Sequence, residues 1–393
     1  MTIPANALPV VDWLIGGARS ESTPEDVLQQ LCSRLVKAGI PLSRVAVFVH
    51  TLHPQIMGRQ FLWRAAEGVS VIEAEHSRSQ DEDVQRSPAR YVIRTRTTIR
   101  RRLIDPNTPN DFPYLDQARA EGATDYLVMP LVFSSREVHA VSWMTTAADG
   151  FSDEHIAALK ALAEPLARMA EIWGWRRTTE TLLNTYVGTH SGERILAGHI
   201  QRGDVEAIHA VIWLSDMRGF TTMSDRLPPR RVIDVLNLYF DCQVGPITEH
   251  GGEVLKFMGD GLLAIFPVAG DESDAERVCG EVLEVARVVR ARIAALGGTT
   301  DLGDVGELRF SVALHLGEVL YGNIGGGNRL DFTCIGPAVN LAARLEKLAG
   351  TLGHTVVTSQ AFARYCGGQV KPLGDFTLQG FTAKQPMFLF ADA

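Results

Sequence analysis

The sequence runs to 393 residues, enough for two or three domains that each bury a core. Its 46% hydrophobic and 21% charged content is that of an ordinary globular chain, not a fibrous or disordered one. Net charge is −8, with 21 basic against 23 acidic side chains in residues 1–200 and 17 against 23 in residues 201–393. Neither half carries the basic excess that nucleic acid as main partner would call for. Five cysteines (Cys32, Cys242, Cys279, Cys334, Cys366) form no C-x-x-C pair. That suits buried thiols in a reducing compartment better than a disulfide framework or a zinc site. No run approaches the ~18 to 20 apolar residues of a membrane span. The opening MTIPANALPVVDWL lacks the basic start of a signal peptide, so a cytoplasmic location is expected.

In chain order, PEDVLQQLCSRLVKA (24–38) has apolar positions 27, 28, 31, 35 and 36, a helical spacing. Segments 44–52, 60–66, 97–104, 125–133 and 138–146 read as strands, and SSRE (134–137) as a hairpin turn between the last two. The basic run RYVIRTRTTIRRR (90–102) reads as the solvated side of a strand, with a phosphate partner as the alternative. Ser152 can cap a helix with apolar positions 156, 159, 162, 166, 169 and 173, which Pro165 is placed to kink. A second helical stretch spans 178–187, and a boundary falls near 203. Paired strands MPLVF and VHAVSW followed by a helix opening FSDEH resemble a GAF-type sensory domain over about residues 8–178. The alternative is an α+β domain used only for dimer contacts.

From 208 the pattern is strand (IHAVIWLS), helix (228–250), two strands around a tight MGDG turn, a helix over 274–296 ending at Gly297–Gly298, and another strand from 309. The order β-α-β-β-α-β is that of a ferredoxin-like core in an α+β protein. GNIGGGNR (322–329) reads as a flexible loop, since no helix follows it. Asp216 closes the first strand and Asp260 sits in the turn between the next two, so both carboxylates can face one point. Two such groups without His or Cys suit Mg²⁺ or Mn²⁺, which take their remaining ligands from water and phosphate.

WLSDMRGFTTMSDRL, GGEVLKFMGDGLLAIFP and FTCIGPAVNLAARLE resemble the three signature segments of class III nucleotidyl cyclases, over about residues 185–393. The resemblance implies a homodimer paired head to tail, with each active site shared between subunits. It implies that Asp216 and Asp260 bind two metal ions, that Lys256 reads adenine, and that Asn340 orients the ribose. It further implies that Arg344 stabilises the transferring phosphate. Backbone amides at Phe220 and Thr221 are placed to hold the triphosphate. The second base-reading residue stands seven before Asn340, which is Thr333, typical of a bacterial-type branch; Asp331 is then left as a strand-edge residue.

Gln379 stands where family members commonly have a basic residue, and Lys384 is a substitute from the same loop. The expectation is an adenylyl cyclase that converts ATP to cyclic AMP and pyrophosphate. Residues 1–178 would form a GAF-like regulatory domain with an unidentified effector, 179–203 a helical linker and 204–393 the catalytic domain. A guanylyl cyclase is disfavoured by Lys256. A degenerate nucleotide-binding regulator is disfavoured by intact Asp216, Asp260, Asn340 and Arg344.

Overall fold

The Thr23 hydroxyl starts the first long helix by accepting the Asp26 N–H at 3.1 Å, with Pro24 in the first turn and Glu25 and Asp26 at the positive end of the helix dipole. A computed structural model describes residues 5, 7–54, 56–77, 81–297, 305, 307–327 and 329–390. It divides into two compact units, Met1–Leu182 and Leu183–Ala393. Among the described residues all five cysteines are free and buried, and no helix is long and apolar enough to cross a membrane.

The first unit contains α1 (Leu8–Ile15), α2 (Pro24–Lys37), β1 (Arg44–His50), β2 (Ile56–Arg64), β3 (Gly68–Glu75) and α3 (Glu82–Gln85). There follow α4 (Pro88–Thr95), β4 (Ile99–Arg102), α5 (Tyr114–Ala120), β5 (Asp125–Val132), β6 (Val138–Thr145) and α6 (Asp153–Val187). The six strands form an antiparallel sheet in the order β3-β2-β1-β6-β5-β4. Val45, Val47 and Val49 pack with Leu28, Leu31 and Leu35 of α2 and Leu159, Leu162 and Leu166 of α6. Phe48 packs on the opposite face, in a smaller cluster with Val92, Leu115 and Val128. Burying both faces is what makes these strands read as near-continuous apolar runs.

Two expectations fail here. The basic run is not one strand: the Ser87 hydroxyl accepts the Arg90 N–H at 3.2 Å, Pro88 opens the first turn, and residues 88–95 coil into α4. Its later arginines are engaged, Arg100 on the fully buried Asp125 at 2.6 Å and Arg101 on Asp111 at 2.5 Å. The stretch 178–187 is likewise not a second helix, because α6 runs unbroken through Pro165 to Val187, where Gly188 (φ +91°) ends it.

The second unit contains α7 (Thr189–Leu196), β7 (Val205–Met217), α8 (Phe220–Arg226), α9 (Pro229–Glu249), β8 (Glu253–Met258), β9 (Gly261–Val268) and α10 (Glu272–Leu296). It continues with β10 (Phe310–Gly326), β11 (Arg329–Ile335), α11 (Pro337–Leu352), β12 (Val356–Ser359), α12 (Gln360–Ala363), β13 (Val370–Phe376) and β14 (Gln385–Phe390). Its sheet runs β13-β14-β12-β10-β7-β9-β8, with β11 paired to β10. The segment β10-β7-β9-β8 is the 4-1-3-2 order of a ferredoxin-like core.

Along β7, Val211 and Trp213 face α9 and α10, while Ala210, Ile212 and Leu214 face the side where Ala338 and Ala342 of α11 pack. The helix expected over 274–296 begins two residues earlier, where Asp271 caps it by accepting the Asp274 N–H at 2.7 Å. Gly298 lies outside the described residues. GNIGGGNR is not a loop. Residues 322–326 continue β10 and pair with β11; only Gly327 is in the turn, and Asn328 lies outside the described residues. Gly322 serves close packing, since a Cβ there would collide with the Asp204 carbonyl oxygen.

Candidate active site

Ser215 on β7 pairs with Leu262 on β9, which sets Asp216 beside Gly261 and the β8–β9 turn. That turn is a two-residue hairpin loop, Gly259-Asp260, closed by the Met258–Gly261 pair. Positive φ at Gly259 alone (+68°) is the pattern of a type II′ turn, which demands glycine at its first central position. Gly261 is also constrained: a Cβ would stand 2.9 Å from the Ser215 carbonyl and 3.2 Å from Asp216 Oδ1. The two small residues let the Asp260 carboxyl come within hydrogen-bonding contact of Asp216.

Burial, then the Asp260 charge, then that of Glu346 push the Asp216 carboxyl up to about 7. Burial also raises Asp260. Two like charges this close share a proton, and Asp216 is its holder. Among the described residues no three His, Cys, Asp or Glu side chains cluster as a self-sufficient metal cage. A proton-sharing carboxylate pair without nitrogen or sulfur ligands therefore fits a hard divalent cation that completes its shell with water and substrate oxygens.

Glu346 was missed by the sequence reading. It is half-buried on α11, accepts the Ser311 hydroxyl at 2.7 Å, and is raised chiefly by burial. The signal was available, because an acid at 346 interrupts the helical stripe of Ala342, Leu345 and Ala349.

Lys256 reaches its face through a bulge. Val254 pairs with Ala264 but Lys256 with Leu263, so one extra residue, Leu255, is inserted in β8. Strict alternation would put Lys256 on the face of Val254. The bulge turns it instead to the side of Leu263 and β11. There its ammonium donates to Asp331 Oδ2 at 2.6 Å. Asp331 is thus not a disengaged strand-edge residue, although its side chain stays 64% exposed. Thr333, two residues on, is buried, and its hydroxyl has no partner among the described residues.

Asn340 and Arg344 project from one side of α11, both exposed, and Arg344 forms no ion pair among the described residues. Phe220 and Thr221 open α8 after Gly219 (φ +74°), with no side-chain cap, so their N–H groups have no acceptor within the helix. Gln379 and Lys384 are exposed in the connection between β13 and β14. The fold thus joins Asp216 to Asp260 and Lys256 to Asp331, while Asn340 and Arg344 are exposed and Arg344 has no ion-pair partner among the described residues.

Residues 21–170 match the GAF domain family, and residues 205–391 match the adenylate and guanylate cyclase catalytic domain family. The chain thus carries a GAF domain followed by a domain of the adenylate and guanylate cyclase catalytic type. Among its relatives are adenylate cyclase 1 of Rhizobium meliloti, 32% identical over 42% of this chain and 25% of that protein, and the adenylate cyclase of Anabaena cylindrica, 30% identical over 42% of this chain and 32% of that protein. The chain spans about a quarter to a third of the length of these relatives. A solved bacterial light-regulated adenylyl cyclase is 25% identical with a TM-score of 0.42, covering 48% of this chain and 92% of that one.

Proposed function

We propose that the protein is an adenylyl cyclase: the ribose 3′-oxygen of ATP attacks the α-phosphorus, its proton leaves, and pyrophosphate departs in line, giving 3′,5′-cyclic AMP. The observation that carries this is the convergence of Asp216 and Asp260, two mutually strained carboxylates that a bound cation would relieve. Mg²⁺ or Mn²⁺ held there, two ions per site, supplies Lewis-acid activation and charge neutralisation. In this reading Lys256 donates to the acceptor edge of adenine, and the orphaned Thr333 hydroxyl accepts from its exocyclic amine. Asn340 orients the ribose, and Arg344 stabilises charge on the transferring phosphate from the partner subunit of a head-to-tail homodimer. Amides of Phe220 and Thr221 hold the triphosphate.

Residues 1–178 regulate this activity through an effector, 179–203 serve as linker, and 204–393 as the catalytic domain. Asp331 favours a second reading, guanylyl cyclase, because a carboxylate beside Lys256 could accept from the N–H groups of guanine. Incubating the purified protein with ATP or GTP and Mg²⁺ or Mn²⁺, and identifying the cyclic product, separates the two. Asp260→Ala should abolish turnover with the fold intact; a fully active variant would overturn the metal assignment.

A further inference from the structure

Helix α11, which carries Asn340 and Arg344, buries Ala338, Ala342, Leu345 and Ala349 against the sheet, and three of these four are alanines. So shallow a face brings the helix close to the strands but gives little interlock against sliding or rotation. Two polar links to the ends of β7 and β10 supply what the apolar face lacks. Ser311, the cross-strand partner of Asp216, donates its hydroxyl to Glu346 at 2.7 Å. Arg218, two residues beyond Asp216, makes the second link.

The Arg218 N–H is fixed on the Arg309 carbonyl at 2.8 Å, which anchors the base of the side chain. Its guanidinium donates through Nη2 to the His354 carbonyl just past the end of α11, and to the Ala349 carbonyl in the last turns at 3.5 Å. The cation thus lies at the negative end of the helix dipole, where carbonyls lack partners within the helix. Its Nε is buried without a hydrogen-bond partner. An arginine serving only solubility would turn that group to water, so the carbonyl contacts are what hold it inward.

We propose that Arg218 is a positioning residue: it fixes α11 against the end of β7 and thereby aims Asn340 and Arg344 at the nucleotide, without touching the nucleotide itself. This rests on the cyclase reading and deepens it. Within a head-to-tail pair the consequence is specific. Arg218 stands beside the carboxylates of its own chain, yet serves the site of the partner subunit, because that is where its own α11 is used.

The test mixes full-length Asp260→Ala and Arg344→Ala chains. Each mixed dimer then holds one complete site, made from the carboxylates of the Arg344→Ala chain and α11 of the Asp260→Ala chain. Arg218→Gln is added to one chain or the other, exchange is confirmed by co-purification through two tags, and cyclic-nucleotide production is measured. On the Asp260→Ala chain it should lower the kcat of the complete site by at least about tenfold, with the KM for ATP changed by less than about threefold. On the Arg344→Ala chain it should change the rate by less than about twofold. Arg218→Lys, which keeps the charge and a donor, should recover part of the loss. No loss from either chain, equal loss from both, or loss confined to the Arg344→Ala chain would each overturn the inference, the last by showing that Arg218 acts through neighbouring Asp216. If Arg218→Gln does not fold, Arg218→Lys carries the same comparison. Should the parent mixture stay inactive after confirmed exchange, the shared-site reading falls, and Arg218→Gln in the otherwise native protein decides. A kcat at least about tenfold lower at unchanged KM then supports positioning, and an unchanged kcat overturns it.

Discussion

Asp216 sits where the fold favours its protonated form, with its carboxyl pushed up to about 7 by burial, Asp260 and Glu346. A carboxylic acid raised in the folded state contributes stability at low pH, below its unfolded value. That contribution is lost as pH rises through the folded value. The metal-free protein should therefore lose stability between about pH 4 and pH 7 through this group. Asp216→Asn should flatten that slope and stabilise the metal-free protein at pH 8 by about 1 kcal/mol, a figure discounted for partial exposure. It should abolish turnover at the same time. Chemical denaturation with chelator present, at pH 5 and pH 8, measures the first effect; an unchanged slope would show that the pair shares no proton.

The residues proposed to face the base differ in burial. The Lys256–Asp331 pair is half open to solvent, which limits it to about 0–1 kcal/mol, so Asp331→Ala should alter the KM for ATP by no more than about fivefold. Thr333 is buried with an orphaned hydroxyl, so Thr333→Ala should reduce the preference for ATP over GTP by about tenfold. Competition assays with both nucleotides rank the two variants; the reverse ranking would make Asp331 the reader.

At the scale of elements, β8 carries more than Lys256. Glu253 is buried at its start and accepts the Ser191 N–H at 2.9 Å, the Ser191 hydroxyl at 2.6 Å and the Tyr321 hydroxyl at 2.5 Å. Its carboxylate therefore meets the first turn of α7, where the helix dipole favours negative charge, and ties that helix to β8 and β10. Glu253→Ala leaves the Ser191 N–H unsatisfied and the Ser191 and Tyr321 hydroxyls with only each other at 3.1 Å, and should destabilise the catalytic unit by about 2–4 kcal/mol. Glu253→Gln, which keeps acceptors for some of these donors, should lose less. Urea unfolding of both variants checks the order, and equal losses would point to lost charge and not lost hydrogen bonds.

The same strand shows where sequence reasoning stops. The tight MGDG turn located β8, yet strict alternation along it would put Lys256 on the wrong face, because the one-residue bulge at Leu255 is set by pairing with β9 and leaves no local composition signal. Long-range pairing likewise overrode the glycine-rich composition of 322–326. Locally encoded features were legible: the cap at Ser152, the hairpin at 134–137 and the MGDG turn all stand as the residues suggested. Residues 90–95 were misread because basic side chains on one helical turn mimic a solvated strand, and the cap at Ser87 was the signal passed over. Glu346 escaped because attention to exposed polar positions overlooks an acid inside a buried stripe.

For the whole molecule, the arrangement of the proposed catalytic groups decides what the smallest active species is. Asp216 and Asp260 converge at the β7 and β8–β9 edge, whereas Asn340 and Arg344 stand exposed on α11 with no acidic partner for Arg344 among the described residues. If Arg344 acts on a transferring phosphate, as proposed, it has to meet nucleotide held elsewhere, and in the proposed head-to-tail pair α11 of one copy would meet the carboxylates of the other. Asp260→Ala and Arg344→Ala, each inactive alone, should then complement when mixed. Random exchange makes half of the dimers mixed, and each mixed dimer holds one complete site and one doubly defective site. Restored activity should thus approach about a quarter of the native rate per subunit. Two differently tagged variants, mixed and co-purified to confirm exchange, give the measurement by cyclic-nucleotide production. Exchange without recovery would place all the catalytic groups of a site on one subunit, and Arg344 would then have to act within its own chain.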